Sequence, residues 1–336
     1  MIAPSVDQQY PKYRIYPASG NGDDVSINFT SSRYPMKQDK SINWRTSASA
    51  VHPLDELRVA VVGGTGGIGQ AISRAFAKRG ADVTVVGQTF RDVETRRYHF
   101  IKADLSSMQD AARVADQLGA DDLDMLIFTT GIFAAPERQV TAEGLERDMA
   151  VSFLSRMTIL KRMADGIGAS RADCTFKPRV FVMGYPGTGQ IGTDLDDLNA
   201  ERAYKSFAVN MNTVAGNEML VLESGKKYPH LNVYGLNPGL IKTSIRDNFF
   251  GKGSLKSKVA ESLIGFFTPT ADEYAERMLP MMVSAGIELE SGAMFDRKAN
   301  AILASEGLTR EHISTFMTAS EALVARAGVS LKRQAN

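Results

Sequence analysis

A glycine-rich turn between an apolar strand and an amphipathic helix constrains the fold of this chain more than any other feature. The segment Arg58–Val62 (RVAVV) is almost continuously apolar, as is typical of a strand buried on both faces. From Gly67 to Arg79, apolar residues recur along one face of a predicted helix. The turn carries Gly63, Gly67 and Gly69 in a GxxxGxG spacing, which supplies the backbone freedom that a tight turn needs. Because the first turn of a helix presents free N–H groups and the positive end of its dipole, this unit is predicted to bind a phosphate group.

Strands and helices alternate through most of the remaining chain. Further strands are predicted near Asp82–Val86, Tyr98–Ala103, Asp124–Thr129, Arg179–Met183, Asn232–Leu236 and Ala293–Asp296. Further helices are predicted near Ser106–Leu118, Thr141–Ala164, Glu201–Ser224, Thr270–Ser284 and Arg310–Ala327, with capping boxes at Ser106–Gln109 and Thr270–Glu273. This alternation predicts an α/β fold of the doubly wound Rossmann type, in which helices cover both faces of a mainly parallel sheet. The glycine turn then becomes a dinucleotide-binding site.

The chain divides into three predicted regions. Residues 1–57 hold five of the twelve prolines, yet they also hold several aromatic residues, including Trp44, the only tryptophan. Disordered tails are usually poor in aromatic residues, so we expect an ordered arm that docks on its own domain or on a neighbouring subunit. The alternative is a partly flexible extension. Residues 58–298 form the predicted dinucleotide-binding and catalytic domain, and residues 299–336 a helical C-terminal extension.

Composition argues against several classes of protein. The formal net charge is +1, which provides no electrostatic field for collecting nucleic acid. Cys174 is the only cysteine, so an internal disulfide is excluded, and the four scattered histidines give no support to a metal site. No apolar stretch approaches the ~18 residues of a membrane span, and the start of the chain lacks the pattern of a signal peptide. We therefore expect a cytoplasmic protein without a metal ion.

The segment after the second predicted strand indicates which dinucleotide binds. An NAD site normally places an acidic residue there, about 20 residues beyond the glycine turn, to bind the ribose 2′-hydroxyl. Here the first acid is Asp92, whereas Gln88, Thr89 and Arg91 precede it and are able to contact a 2′-phosphate. The sequence favours NADP over NAD, with Arg91 as a plain surface charge as the alternative.

Three motifs in this order resemble the short-chain dehydrogenase/reductase family. The family's TGxxxGxG turn is matched except that Val62 replaces the threonine, and Asp104-Leu105 matches its acidic pair at the adenine. Asn237–Thr243 matches its Pro-Gly segment at the nicotinamide. The resemblance spans residues 58–296, about seven-tenths of the chain. Taken with the analysis above, it implies that the cofactor is bound by Gly63, Thr65, Gly66, Gly67, Ile68, Gln88, Thr89, Arg91, Asp104, Leu105, Thr130, Gly131, Pro238, Gly239, Ile241 and Thr243.

The catalytic positions of that family are altered in this chain. The family's NNAG segment is replaced by Phe128-Thr129-Thr130-Gly131, and its asparagine in the fourth helix by Ser152. The catalytic serine falls on Gly184 or Tyr185, depending on the register. Tyr204 matches the family's catalytic tyrosine, but Ala208 stands where the lysine belongs, four residues later. That lysine normally stabilises the ionised phenol, whose unperturbed pKa is about 10, from one helical turn away.

Three hypotheses about function follow from these changes. The chain is a reductase with altered acid–base residues, in which Tyr204 or Tyr185 donates the proton. Alternatively, it binds the cofactor but catalyses a non-redox reaction such as isomerisation or cyclisation. In the third hypothesis it is a non-catalytic NADP-binding protein, and Tyr204 is then simply a core aromatic residue.

The segment 243–268 is rich in apolar residues, including Phe249, Phe250, Phe266 and Phe267. In related proteins this region covers the substrate pocket, so the resemblance implies an apolar lid and a hydrophobic small-molecule substrate. A dimer contact or a contact with a membrane surface are the alternatives. The resemblance also implies a homo-oligomer, either a dimer or a tetramer.

Overall fold

The fold is described from a computed structural model, which covers residues 36–45, 53–171, 177–239, 241 and 269–332. In this part of the chain, one sheet has the strand order β3-β2-β1-β4-β5-β6-β7-β8. Neighbouring strands pair in parallel except β7 and β8, which are antiparallel. Strands β1 to β8 are Arg58–Val62, Asp82–Gly87, Tyr98–Lys102, Met125–Phe128, Arg179–Met183, Asn232–Leu236, Met294–Phe295 and Ala301–Ile302.

Helices cover both faces of this sheet. The described α-helices α1 to α7 are Gly67–Ala77, Met108–Gln117, Arg147–Met149, Ser155–Met163, Ser206–Lys227, Ala271–Met282 and Arg310–Arg326. A π-helical turn, Ala150–Leu154, joins α3 to α4. Short 3-10 turns lie at Leu54–Glu56, Ala120–Asp122, Leu195–Asp197 and Ala285–Ile287. Helices α1 and α6 pack on one face of the sheet, whereas α2, α4, α5 and α7 pack on the other. The predicted doubly wound, mainly parallel α/β fold is confirmed.

The strand order places a crevice at the centre of the sheet. From β1 the chain builds outward through β2 and β3, and it then returns to β4 on the other side of β1. Ligands of open α/β sheets bind at such a switch point, beyond the carboxyl ends of the strands. The glycine turn follows β1 directly and lies at this point.

Three predicted helix starts are wrong, and local side-chain hydrogen bonds explain each difference. The helix predicted at Glu201–Ser224 begins at Ser206, because the Asp197 carboxylate accepts hydrogen bonds from the amides of residues 201–203 and holds them in a loop. Helix α2 is capped by Ser107, whose hydroxyl accepts from the Asp110 amide. Ser106, the predicted cap, instead donates its hydroxyl proton to Asp104.

The long helix predicted at Thr141–Ala164 begins only at Arg147. Residues 140–146 form a tight turn, and Glu146 caps the helix by accepting a 2.7 Å hydrogen bond from the Met149 amide. The capping box at Thr270 and Glu273 is present in full. The two-residue strand β8 was not predicted, since so short a strand shows no periodicity.

The described part of the arm and the C-terminal extension both contact the central domain. Residues 37–39 pair with β8, and the indole of Trp44 donates a 2.7 Å hydrogen bond to the Ala299 carbonyl. In α7, the fully buried Phe316 packs its ring 5.6 Å from that of Phe153. Residues 1–35 and the predicted lid at 243–268 lie outside the described residues, as do Thr243 and Cys174.

We predict that α7 is part of the core and not a detachable addition. Phe316→Ala removes a fully buried ring and should lower the free energy of unfolding by about 3–5 kcal/mol, because it leaves a cavity. Leu289→Ala is the control, since Leu289 is 96% exposed and its truncation should change stability by less than about 0.5 kcal/mol. Urea denaturation measures both variants. Equal stabilities would contradict the prediction.

Candidate active site

The glycine turn packs directly against the carboxyl end of β4. Gly63 and Gly67 have φ of +91° and +53°, a left-handed conformation that favours glycine. A Cβ atom on Gly63 would lie 2.5 Å from the Thr130 amide nitrogen, and one on Gly69 would overlap the Thr129 hydroxyl. Gly63 and Gly69 therefore let the backbone of the turn approach its neighbours more closely than a side chain would permit.

The N-terminus of α1 offers hydrogen-bond donors to an anion. Its N-cap residue is Gly66, and no side chain caps the helix. The first N–H groups of a helix need acceptors from outside the helix, and the helix dipole favours a negative one. The segment Thr65–Ile68 therefore has the local structure that a pyrophosphate requires.

A cavity of about 520 Å³ adjoins the ends of β2 and β3, lined by Gln88, Lys102, Ala103, Asp104, Asp110 and Arg113. Asp104 accepts hydrogen bonds from the Gln88 amide group at 3.1 Å and from the amide of Ser106 at 3.0 Å. Burial alone would raise the pKa of Asp104, but these hydrogen bonds outweigh it and the pKa is lowered. The carboxylate is therefore ionised at neutral pH and able to accept a hydrogen bond from a base or a ribose.

Asp92, the acid nearest to the end of β2, is held by other residues of the chain. Its carboxylate accepts hydrogen bonds from Arg74 Nε at 2.9 Å and Gln70 Nε2 at 3.0 Å, both on α1. The neighbouring Arg91 points toward the glycine turn instead, and its guanidinium donates a 2.7 Å hydrogen bond to the Thr65 carbonyl. The segment after β2 thus presents the Arg91 cation beside the glycine turn, while the Asp92 carboxylate is already paired with Arg74.

The opposite end of the crevice is formed by the loops after β4, β5 and β6. The Thr130 hydroxyl is buried and has no hydrogen-bond partner among the described residues. The Pro-Gly loop after β6 includes Gly239, at φ +60°, and the buried Ile241. Tyr185 follows β5 and is 37% exposed, and its hydroxyl lies 3.4 Å from the Gly239 carbonyl. An unpaired buried hydroxyl is costly, so Thr130 fits a ligand that supplies the missing partner.

Tyr204 occupies a different position from the one that its motif predicts. It precedes α5, and its hydroxyl donates a 2.5 Å hydrogen bond to the Ala135 carbonyl. Burial, followed by the nearby charges of Glu146 and Asp148, raises the pKa of Tyr204 to about 12. The phenol is therefore protonated throughout the physiological range. Because α5 begins only at Ser206, Tyr204 and residue 208 do not lie one turn apart in the same helix, as the family motif would require.

A buried polar network beneath these loops was largely missed by the sequence analysis. The Ser152 hydroxyl lies in the π-helical turn, donates a 2.5 Å hydrogen bond to Asp148, and accepts one from the Ile132 amide at 3.0 Å. Arg156, one turn further along, is also buried. Met149, Phe153, Arg156 and Leu160 follow one another at helical spacing, so the sequence places Arg156 on an apolar helix face. A charged residue on such a face indicates a buried polar contact, and this pattern was the available signal for the network.

Most of the predicted site residues lie along one edge of the sheet. Each of them follows the carboxyl end of a strand, either in the glycine turn after β1 or in the segments after β2, β3, β4, β5 and β6. Tyr204 does not follow a strand end; it precedes α5 and packs against Ala134, Ala200 and Val209. Among the described residues, no helix is long and apolar enough to cross a membrane. The same residues include no cluster of three or more potential metal ligands.

Comparisons with known proteins agree with this geometry. Residues 58–172 match the family model described as short chain dehydrogenase. An uncharacterized oxidoreductase of Saccharomyces cerevisiae is 45% identical over 87% of this chain and 95% of its own length. This chain belongs to the short-chain dehydrogenase/reductase family. A polyprenol dehydrogenase of Mus musculus is a more distant relative, 31% identical over 45% of this chain and 49% of its own length.

Solved structures support the same fold. The aldohexose dehydrogenase of Thermoplasma acidophilum superimposes with a TM-score of 0.54, covering 74% of this chain and 96% of that protein, at 16% identity. As a member of this family, the chain is an oxidoreductase with a nicotinamide cofactor, either NAD or NADP. The uncapped helix, the close glycine contacts and the unpaired Thr130 hydroxyl all fit such a cofactor.

The unpaired Thr130 hydroxyl gives a direct test of the site. Thr130→Val replaces a buried hydroxyl that has no partner, so we expect no loss of stability. If the hydroxyl serves the cofactor, the dissociation constant for NADPH should rise about three- to tenfold, the value of one hydrogen bond. Thr129→Val is the matched control, because its hydroxyl already donates to the Val62 carbonyl and its loss should lower stability. Thermal unfolding and fluorescence titration measure both effects, and unchanged NADPH affinity in Thr130→Val would contradict the assignment.

Proposed function

We propose that this protein is an NADP-dependent oxidoreductase that acts on a carbonyl or hydroxyl group of a hydrophobic small molecule, with a proton donor different from the family's tyrosine–lysine pair. The main observation in support is the contrast between Asp92 and Arg91. The Asp92 carboxylate accepts a hydrogen bond from Arg74 on α1, whereas the Arg91 guanidinium donates one to the Thr65 carbonyl in the glycine turn. The glycine turn, Asp104-Leu105, Thr130-Gly131 and Pro238-Gly239 are the proposed cofactor contacts.

The preference for NADP follows from charge. A ribose 2′-hydroxyl is best recognised by a carboxylate that accepts its proton, and a 2′-phosphate by a cation with hydrogen-bond donors. The segment 88–92 contains one carboxylate, and that carboxylate already pairs with Arg74. Gln88, Thr89 and Arg91 carry hydrogen-bond donors, and the exposed guanidinium of Arg91 has the planar geometry that suits a phosphate.

Arg91→Ala tests this preference. The variant should bind NADPH about 10- to 100-fold more weakly, because a charge-assisted contact to phosphate is lost, while NADH affinity changes by less than about threefold. Arg96→Ala, which removes another arginine from the same β2–β3 connection, is the control and should change neither affinity. Equal weakening of NADPH and NADH in Arg91→Ala would count against a 2′-phosphate contact.

We assign proton donation to Tyr185 in preference to Tyr204. The bound cofactor supplies the hydride, and the protein has to supply a proton to the substrate oxygen. Tyr185 is 37% exposed, and the hydrogen bond that its hydroxyl donates to the Gly239 carbonyl is long, at 3.4 Å, whereas Tyr204 donates a 2.5 Å hydrogen bond to the Ala135 carbonyl. The loop bearing Tyr185 is held by Asn237, whose amide donates a 2.8 Å hydrogen bond to the Pro186 carbonyl. A reductase needs a protonated donor, so the lack of a lysine at residue 208 is less damaging than in a dehydrogenase.

The roles of the two tyrosines are separable by mutation. Tyr185→Phe should lower kcat by about 100-fold or more, the usual contribution of a general acid, and lower the free energy of unfolding by no more than about 1 kcal/mol, because it loses the long hydrogen bond to the Gly239 carbonyl. Tyr204→Phe loses one hydrogen bond, so it should cost about 1 kcal/mol of stability and less than tenfold in kcat. Substrate-dependent oxidation of NADPH measures turnover. Full activity in Tyr185→Phe with a large loss in Tyr204→Phe would reverse the assignment.

The substrate class rests on exposed apolar side chains near the carboxyl end of β5. Ile191 and Tyr185 lie on the loop after β5, and Phe207 is exposed at the start of α5. Such side chains gain free energy when they bury an apolar ligand. The name of one relative, polyprenol dehydrogenase, supports a hydrophobic alcohol or carbonyl compound.

The non-redox and non-catalytic alternatives are less well supported, because the relatives that match this chain are named oxidoreductases. We also propose that the protein is a cytoplasmic homo-oligomer, as the family resemblance implies. Light scattering coupled to size-exclusion chromatography measures the oligomeric state, and a monomeric mass would overturn that part of the proposal.

A further inference from the structure

Arg156 places a fully buried guanidinium group between the ends of β4 and β5. The residue is only 3% exposed. One terminal nitrogen donates hydrogen bonds to the Met183 carbonyl and, at 2.9 Å, to Asn217 Oδ1, and the other donates to the Thr130 carbonyl. Burial lowers the pKa of Arg156 to about 9, so the group still carries its positive charge at pH 7.

No described carboxylate forms an ion pair with this cation. Its three acceptors are neutral oxygens, and its Nε atom is buried without a partner. Asp148 is the acid that interacts with it electrostatically, but the two oxygens of Asp148 accept hydrogen bonds from Ser152 and Asn210 instead. Burial raises the pKa of Asp148, whereas its hydrogen bonds from Ser152 and Asn210 and the charge of Arg156 lower it.

This charge lies next to the proposed nicotinamide end of the site. A Cβ atom on Gly131 would be 3.6 Å from a terminal nitrogen of Arg156. The carbonyls that bind the guanidinium belong to Thr130, directly before Gly131, and to Met183, two residues before Tyr185. The cation therefore connects the two loops that face the reacting end of the cofactor.

The two forms of a nicotinamide cofactor differ in charge at the ring, because the oxidised ring is a cation and the reduced ring is neutral. A fixed positive charge in a region of low dielectric constant repels the oxidised ring and leaves the reduced ring unaffected. We propose that Arg156 makes this site selective for the reduced cofactor, because its charge raises the free energy of the bound oxidised ring and not that of the reduced ring. This inference rests on the nicotinamide end lying at Thr130-Gly131, as assigned under the proposed function.

A purely structural role does not require the charge. A neutral side chain with suitable hydrogen-bond donors would satisfy the same oxygens without the desolvation cost of a buried cation. A structural role also predicts that loss of Arg156 weakens both forms of the cofactor alike. Electrostatic selectivity predicts a change in the ratio of the two affinities.

The experiment compares the dissociation constants of NADP⁺ and NADPH by calorimetry at pH 7, without substrate or turnover. The native protein should bind NADPH at least roughly tenfold more tightly than NADP⁺. Arg156→Met removes the charge and should bring the ratio to within about threefold of unity. Circular dichroism establishes that each variant is folded.

Asn217→Asp provides a second variant in case Arg156→Met does not fold. It places a carboxylate 2.9 Å from the guanidinium and loses the hydrogen bonds that the Asn217 amide donates to the Ser152 and Thr213 carbonyls. In the folded variant the carboxylate should neutralise the charge and lower the ratio in the same direction. An unchanged ratio in a folded neutralising variant would overturn the inference, as would a native protein that binds NADP⁺ as tightly as NADPH. Absence of binding by either cofactor form in the native protein would instead contradict the proposed function itself.

Discussion

The close contact between the glycine turn and the end of β4 is the constraint on which the rest of the site depends. Gly63 and Gly69 meet Thr130 and Thr129 at distances that leave no room for a Cβ atom. This contact brings the N-terminus of α1 to the switch point of the sheet. The loops after β2, β3 and β6 begin along the same carboxyl edge. The cofactor end of the site is therefore determined by backbone packing, and the altered family motif at Val62 does not disturb it.

The reacting end of the site depends on side chains, and there the chain departs from its family. No lysine follows the motif tyrosine one turn along a helix, because Tyr204 precedes α5 and residue 208 is alanine. Positive charge is supplied from the neighbouring helix instead, by Arg156, which bonds to the loops after β4 and β5. A charge at this location acts on the cofactor and on both loops, whereas a lysine on α5 would act mainly on the tyrosine. The buried arginine thus places positive charge beside the proposed nicotinamide position, whereas the family's lysine would place it beside the tyrosine.

The sequence was sufficient to predict the elements that depend on periodicity and on glycine. Strands such as Arg58–Val62 and Arg179–Met183 were predicted to the residue, since apolar runs bounded by polar residues mark buried strands clearly. The start of α5 was not predictable in the same way, because Asp197 diverts the amides of residues 201–203 through contacts that periodicity does not register. The pairing of Asp92 with α1 and of Arg156 with strand-end carbonyls likewise depends on tertiary structure.

The central claim is that the nicotinamide dinucleotide lies along the carboxyl edge of the sheet, with its pyrophosphate at the glycine turn. Amide hydrogen exchange followed by mass spectrometry, with and without saturating NADPH, tests this claim most directly. We expect slower exchange in peptides covering residues 63–70 and 130–132, and unchanged exchange in α7, which includes none of the proposed cofactor contacts. Saturable NADPH binding without protection of residues 63–70, or the absence of saturable binding, would contradict it.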